Sequence, residues 1–68
     1  MRIENEIRRL RFEHGEMTQA QLAERIGMTR QTVIAIEQGK YSPSLEAAFK
    51  IAAAFGVAIT DVFRWAPD

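Results

Sequence analysis

The sequence predicts an all-α fold of five short helices, with room at its two ends for short strands. Three observations carry this expectation. Apolar residues recur at spacings of three and four along most of the chain. Helix-capping residues alternate with glycine stop signals at Thr18 and Gly27, Thr29 and Gly39, and Ser44 and Gly56. The chain has only 68 residues, enough for one domain over 1–68 and no second.

The elements follow in order. Ile7 and Leu10, three apart, mark one face of a first helix that ends near Gly15. Thr18 with Gln21 three residues on is a capping box, and Ala20, Leu22, Ala23 and Ile26 supply the apolar side of a second helix stopped by Gly27. Thr29 caps a third helix, Arg30 to Gln38, before Gly39. Lys40 to Pro43 is loop, because Pro43 disfavours a helical Ser42. Ser44 caps a fourth helix whose apolar set reads Leu45, Ala48, Phe49, Ala52 and Phe55, up to Gly56. A last short helix covers Ile59 to Phe63, and the tail from Arg64 is suited to a strand beside Met1 to Ile3.

Composition narrows the function. A chain this short buries only about 60% of its unfolded surface, so it needs a staple. No cysteine is present to make a disulfide or a Cys-based zinc site, and one histidine does not build a metal cage, which leaves oligomerisation. No cofactor is expected. The charged start Met1 to Glu6 is unlike a signal peptide, and the longest uncharged run, Ile51 to Thr60, is about half a membrane span. A cytoplasmic protein without a membrane partner is expected. Nine basic residues balance nine acidic ones, so any nucleic-acid binding must come from basic groups gathered on one face.

Helices two and three, separated by Gly27-Met28-Thr29, form a helix-turn-helix core over 18–38. Val33 and Ile36 face inward, leaving Arg30, Gln31, Ile34, Ala35 and Gln38 on the other side. That side has groove-reading chemistry. Arginine bonds bidentately to guanine and glutamine to adenine, at the helix end that enters the major groove. Ile34 and Ala35 suit thymine methyls, while the Thr32 hydroxyl suits a base, a phosphate or water. Gln19 and Thr29 lie beside free helix-start N–H groups suited to phosphate; Gln38, Lys40 and Tyr41 are further candidates for the DNA backbone.

The run Thr18-Gln19-Ala20-Gln21-Leu22-Ala23-Glu24-Arg25-Ile26-Gly27, continued through Arg30-Gln31-Thr32-Val33 to Ser44-Leu45, resembles the Cro/phage-repressor (XRE-type) class of helix-turn-helix regulators. The likeness extends from about Ile7 to Phe63 and is greatest to short stand-alone members of the cytolysin-type repressor kind. It implies a lambda-repressor-like fold and a sequence-specific regulator of double-stranded DNA, a repressor on a pseudo-palindromic operator. By position it assigns a phosphate contact to Gln19, base reading to Arg30 and Gln31, and an ion pair to Arg11 and Glu37. Three positions depart from the pattern. Ala35 replaces a longer polar side chain, Gly15-Glu16-Met17 is one residue longer than the usual first turn, and Ala58 stands where a capping hydroxyl is common.

The C-terminal segment, about 57–68, is the expected dimerisation segment, with Ile59, Phe63 and Trp65 at a two-fold contact and Val57 and Phe63 closing the core in part. The competing class is a protein-interaction module, such as an antitoxin-like partner, which zero net charge and an outward Ile34 favour. No nucleophile, paired carboxylates or effector pocket points to an enzyme or a small-molecule sensor. His14 is expected at the surface of a helix end, and Glu4, Glu6, Glu13 and Glu16 as a solvated acidic set.

Overall fold

Each helix-start signal acts within one turn. The Thr18 hydroxyl accepts from Gln21 N at 3.0 Å while Gln21 Oε1 accepts from Thr18 N at 2.8 Å. Thr29 and Ser44 accept from Thr32 N and Ala47 N in the same way. The helices end as locally. Gly27 and Gly56 adopt φ of 70° and 67°, the left-handed geometry that only glycine takes without strain.

The computed structural model describes residues 2–67. In chain order the elements are β1 (Arg2–Asn5), α1 (Ile7–Glu13), α2 (Gln19–Ile26), α3 (Arg30–Glu37), α4 (Leu45–Phe55), α5 (Ile59–Val62) and β2 (Phe63–Ala66). The strands form an antiparallel ribbon in which Ile3 lies opposite Trp65 and Asn5 opposite Phe63. The expected terminal strands are therefore present. Met1, placed on one of them, and Asp68 at the end of the expected dimerisation segment lie outside the described residues. The last helix is one residue shorter than expected, because Phe63 turns extended and begins β2.

All five helices supply the core: Ile7 and Leu10, Leu22 and Ile26, Val33 and Ile36, Ile51 and Phe55, and Val62, with Met17 from the first turn. Among the described residues no polar side chain is buried with them. The extra residue of that turn is absorbed by left-handed geometry at both Gly15 and Glu16, which lets Met17 turn inward and its N–H reach Arg11 O at 2.9 Å.

One expectation needs correction, and two others gain partners. On α4 the buried set is Ala47, Ala48, Ile51, Ala52 and Phe55, whereas Leu45 and Phe49 are 70% and 55% exposed. The helix is apolar almost all round, and docking against α2 and α5, rather than its composition, selects the inner face. His14 is exposed at the C-terminal end of α1, as expected, and its ring is also engaged. Its Nδ1 lies 2.7 Å from Leu10 O and its Nε2 3.0 Å from Phe55 O, so the ring ties the ends of α1 and α4 together against the Phe55 ring. The acidic set is solvent-accessible as expected, and Glu4, Glu6 and Glu13 also form ion pairs there. At Ala58 the missing hydroxyl is half replaced, because Asp61 Oδ2 accepts from Ala58 N at 3.0 Å.

Candidate nucleic-acid interface

The turn at Gly27 sets α3 against α2 through Ala23, Ile26, Val33 and Ile36, all buried. Burying one stripe of α3 leaves its other side outward. Arg30, Gln31 and Gln38 are exposed, and Thr32, Ile34 and Ala35 half-buried. Thr32 has less freedom than its hydroxyl suggested. Its Oγ1 lies 3.0 Å from Thr29 Oγ1, which also accepts from Thr32 N, so the pair is partly committed to closing the start of α3. Arg30 and Gln31 carry the free donors of that turn. Ile34 and Ala35, flat and apolar, lie one turn further on.

The far end of α3 is fastened by two side chains. Arg11 Nε and Nη2 donate to Glu37 Oε2 and Oε1 at 2.7 and 3.0 Å, and Arg11 Nη1 donates to Met17 O at 2.8 Å. The pair sits with 15% and 9% of its side chains exposed, so a bidentate arginine joins α1, the first turn and α3 at a half-dry site. Asn5 is the second fastening and was not singled out in the sequence. Its Nδ2 donates to Ile36 O at 3.1 Å and to Glu37 O at 3.5 Å, while its Oδ1 accepts from Ile7 N at 3.2 Å. One amide thus holds the start of α1 to the end of α3. An asparagine beside a helix start is a legible cap, but its partners 31 and 32 residues away leave no local signal.

Around α3 the remaining candidates divide. Gln19 is half-buried at the start of α2, beside Arg30 and Gln38 in a shared notch. Lys40 is exposed after Gly39 and Thr29 at the start of α3. Tyr41 is exposed but lines a groove between the loop and the ribbon, with Ile3, Pro43 and Trp65. It therefore borders the ribbon as well as the end of α3. Ile59 and Phe63 are half-buried against the core, so of the three expected dimer residues only Trp65, 62% exposed, is fully offered outward.

Charge is unevenly spread over this neutral chain. Arg2, Arg9, Arg11, Lys50 and Arg64 are held by Glu4, Glu6, Glu13, Glu37 and Glu46. Arg8, Arg25, Arg30 and Lys40 form no ion pair among the described residues. Hydrogen bonds from Arg2 and then Arg64 hold the Glu4 carboxyl below its ordinary range. Arg9 acts first in the same way on Glu6. Three of the five paired acids, Glu4, Glu6 and Glu13, thus lie along the ribbon and α1. No cluster of potential metal ligands occurs among the described residues.

Residues 7–62 match the helix-turn-helix family. The chain belongs to it. Among relatives in this family, an uncharacterized HTH-type transcriptional regulator of Methanocaldococcus jannaschii is 50% identical over 66 residues, 97% of this chain and 98% of that protein. One from Methanothermobacter thermautotrophicus is 57% identical over 58 residues, covering 84% and 83% of the two chains. An uncharacterized regulator of Bacillus subtilis, YgzD, is 48% identical over 61 residues, 90% and 91%. A crystal structure of a candidate DNA-binding protein from Bacteroides fragilis shares the fold of this helix-turn-helix chain. Its TM-score is 0.77 at 24% identity, over 91% of this chain and 98% of that one.

Proposed function

We propose that this chain is a transcriptional regulator that binds double-stranded DNA sequence-specifically, as a homodimer on a pseudo-palindromic operator in the cytoplasm. The observation that carries this reading is the exposed first turn of α3. Arg30 and Gln31 project from a helix whose start is capped by Thr29 and whose end is held by Arg11 and Asn5. An arginine and a glutamine on a rigid support suit base edges, because their geometry is fixed before DNA arrives. Thr32, Ile34 and Ala35 complete the reading surface, while Gln19, Thr29, Gln38 and Lys40, with Tyr41 at the margin, face the phosphates. The names of the relatives agree with such a role. Repression is the preferred sign, since occluding a promoter needs only tight binding; no enzyme chemistry is assigned.

Dimerisation through residues 57–68 is supported by Trp65 and, directly across the ribbon, the exposed Ile3. Ile59 and Phe63 contribute only the edges they do not commit to the core. Leu45 and Phe49 add apolar surface on α4. Large exposed apolar side chains on so small a chain are explained by a covering subunit. A two-fold contact would set two reading helices about 34 Å apart on one face of the duplex. The same apolar surface is what a protein-interaction module would use, and DNA binding separates the two readings.

Selection of preferred duplexes from a random pool, with wild type and Arg30→Ala, tests the proposal. The expected result is an enriched pseudo-palindrome, with one position per half-site relaxed in the variant. Failure to bind any duplex at low ionic strength would leave the interaction module standing. Uniform losses on all sequences for Arg30→Ala would remove its base-reading role.

A further inference from the structure

We propose that Arg8 is an additional phosphate anchor, gripping the DNA backbone in the notch where α1 meets the starts of α2 and α3. The inference rests on the DNA-binding reading above and adds a contact on a helix not otherwise assigned to DNA. Arg8 is exposed on α1, and its guanidinium enters neither a hydrogen bond nor an ion pair among the described residues. Its neighbour Arg9 differs entirely, with its nitrogens 3.0 Å from Glu6 and 3.1 Å from Glu13. Arg8 is instead part of the wall of an open notch of about 810 Å³ that it shares with Glu16, Gln19, Arg30 and Gln38. Three of those residues come from the proposed DNA surface, so a backbone strand lying against Gln19 and Gln38 passes within reach of Arg8.

The local field supports the same occupant. Arg11 and Glu37 also line the notch but cancel each other, leaving Arg8 and Arg30 against the single carboxylate of Glu16. At physiological salt the screening length is about 8 Å, so exposed charges outside the notch count for little there. The notch is therefore cationic although the chain is neutral. Arginine's planar fork fits two phosphate oxygens. From the sequence alone an exposed arginine on an outer helix face is indistinguishable from a solvated one.

The test is the salt dependence of binding to a random-sequence 20-base-pair duplex, followed by fluorescence anisotropy, for wild type, Arg8→Gln, Arg9→Gln and Glu16→Gln. Each phosphate contact contributes about 0.9 to the slope of log affinity against log salt. Arg8→Gln is expected to weaken binding and flatten the slope by about that amount, so that raising salt from roughly 50 to 200 mM costs about 3.5-fold less affinity than for wild type. Arg9→Gln removes the same formal charge from the next residue and is expected to keep the wild-type slope; Glu16→Gln is expected to tighten binding. Arg8→Gln breaks no side-chain hydrogen bond or ion pair of the described residues, and a circular dichroism melt checks that it folds. Equal slopes for Arg8→Gln and wild type, or equal flattening by Arg8→Gln and Arg9→Gln, would overturn the anchor while leaving DNA binding intact. Absence of salt-dependent binding by wild type itself would instead overturn the DNA reading.

Discussion

Replacing Arg11 by methionine isolates the pair that fixes the end of α3. The substitution keeps an unbranched apolar stem but removes three donated bonds, two to Glu37 and one to Met17 O. Glu37 is then left with its side chain only 9% exposed and no cation beside it. Breaking a buried pair in this way costs about 3–5 kcal/mol, and the residual exposure of both partners places this one near the lower end, about 3 kcal/mol. A chain of this length has a total stability of roughly 3–10 kcal/mol, so the loss is a large share of it. At about 4–8 °C per kcal/mol the melting temperature should fall by roughly 12–24 °C. Removing both charges together, as Arg11→Met with Glu37→Met, should recover most of the loss, because no buried charge is left uncompensated. Thermal and urea melts followed by circular dichroism measure all three variants with wild type as a double-mutant cycle. A fall of less than about 4 °C for Arg11→Met, or a double variant as unstable as the sum of the singles, would refute this account.

Two further outcomes follow from the same geometry. Asn5→Asp keeps the oxygen that accepts from Ile7 N but loses the donor to Ile36 O and Glu37 O. It should therefore lower stability by about 1–3 kcal/mol, whereas the same change at a free surface position would cost almost nothing; a urea titration that shows no change would remove the α3 tether. Acid should loosen the terminal ribbon, because Glu4 and Glu6 are held below the ordinary carboxylate value of 4.5 by Arg2, Arg9 and Arg64. Carboxylates depressed on folding contribute stability above that value and lose it as pH falls through their folded range. Protection of the ribbon amides, taken as exchange relative to the intrinsic rate at each pH, should accordingly fall below about pH 4 and stay level between pH 5 and 7; unchanged protection down to pH 2 would contradict the pairing.

The particular residues show how much of the site was legible. Arg30 and Gln31 could be placed on an outer helix face because the cap at Thr29 and the inward pair Val33 and Ile36 fix the phase of α3 within two turns. Glu37 and Arg11 came from the family resemblance, and the structure shows a bidentate pair between them. Arg9 has acidic partners within a turn on either side, Glu6 and Glu13, whereas no neighbour along the chain marks where Arg8 points. Only the packing of α1 beside the starts of α2 and α3 puts Arg8 on the notch. Leu45 and Phe49 misled, since a helix apolar on most sides offers several stripes of correct period.

Where α2, α3 and α4 start and stop, and which side of α3 is polar, follow from interactions spanning three or four residues: hydroxyl caps, left-handed glycines and a single turn of apolar spacing. Such forces act whatever the rest of the chain does, and they can be read directly from neighbouring letters. The rotation of α4, the joining of Ile3 to Trp65, the hold of Asn5 on α3 and the bridge made by His14 depend on groups brought together from distant parts of the chain. Those meetings are settled by how the apolar faces pack as a set, and no periodicity along the chain encodes them.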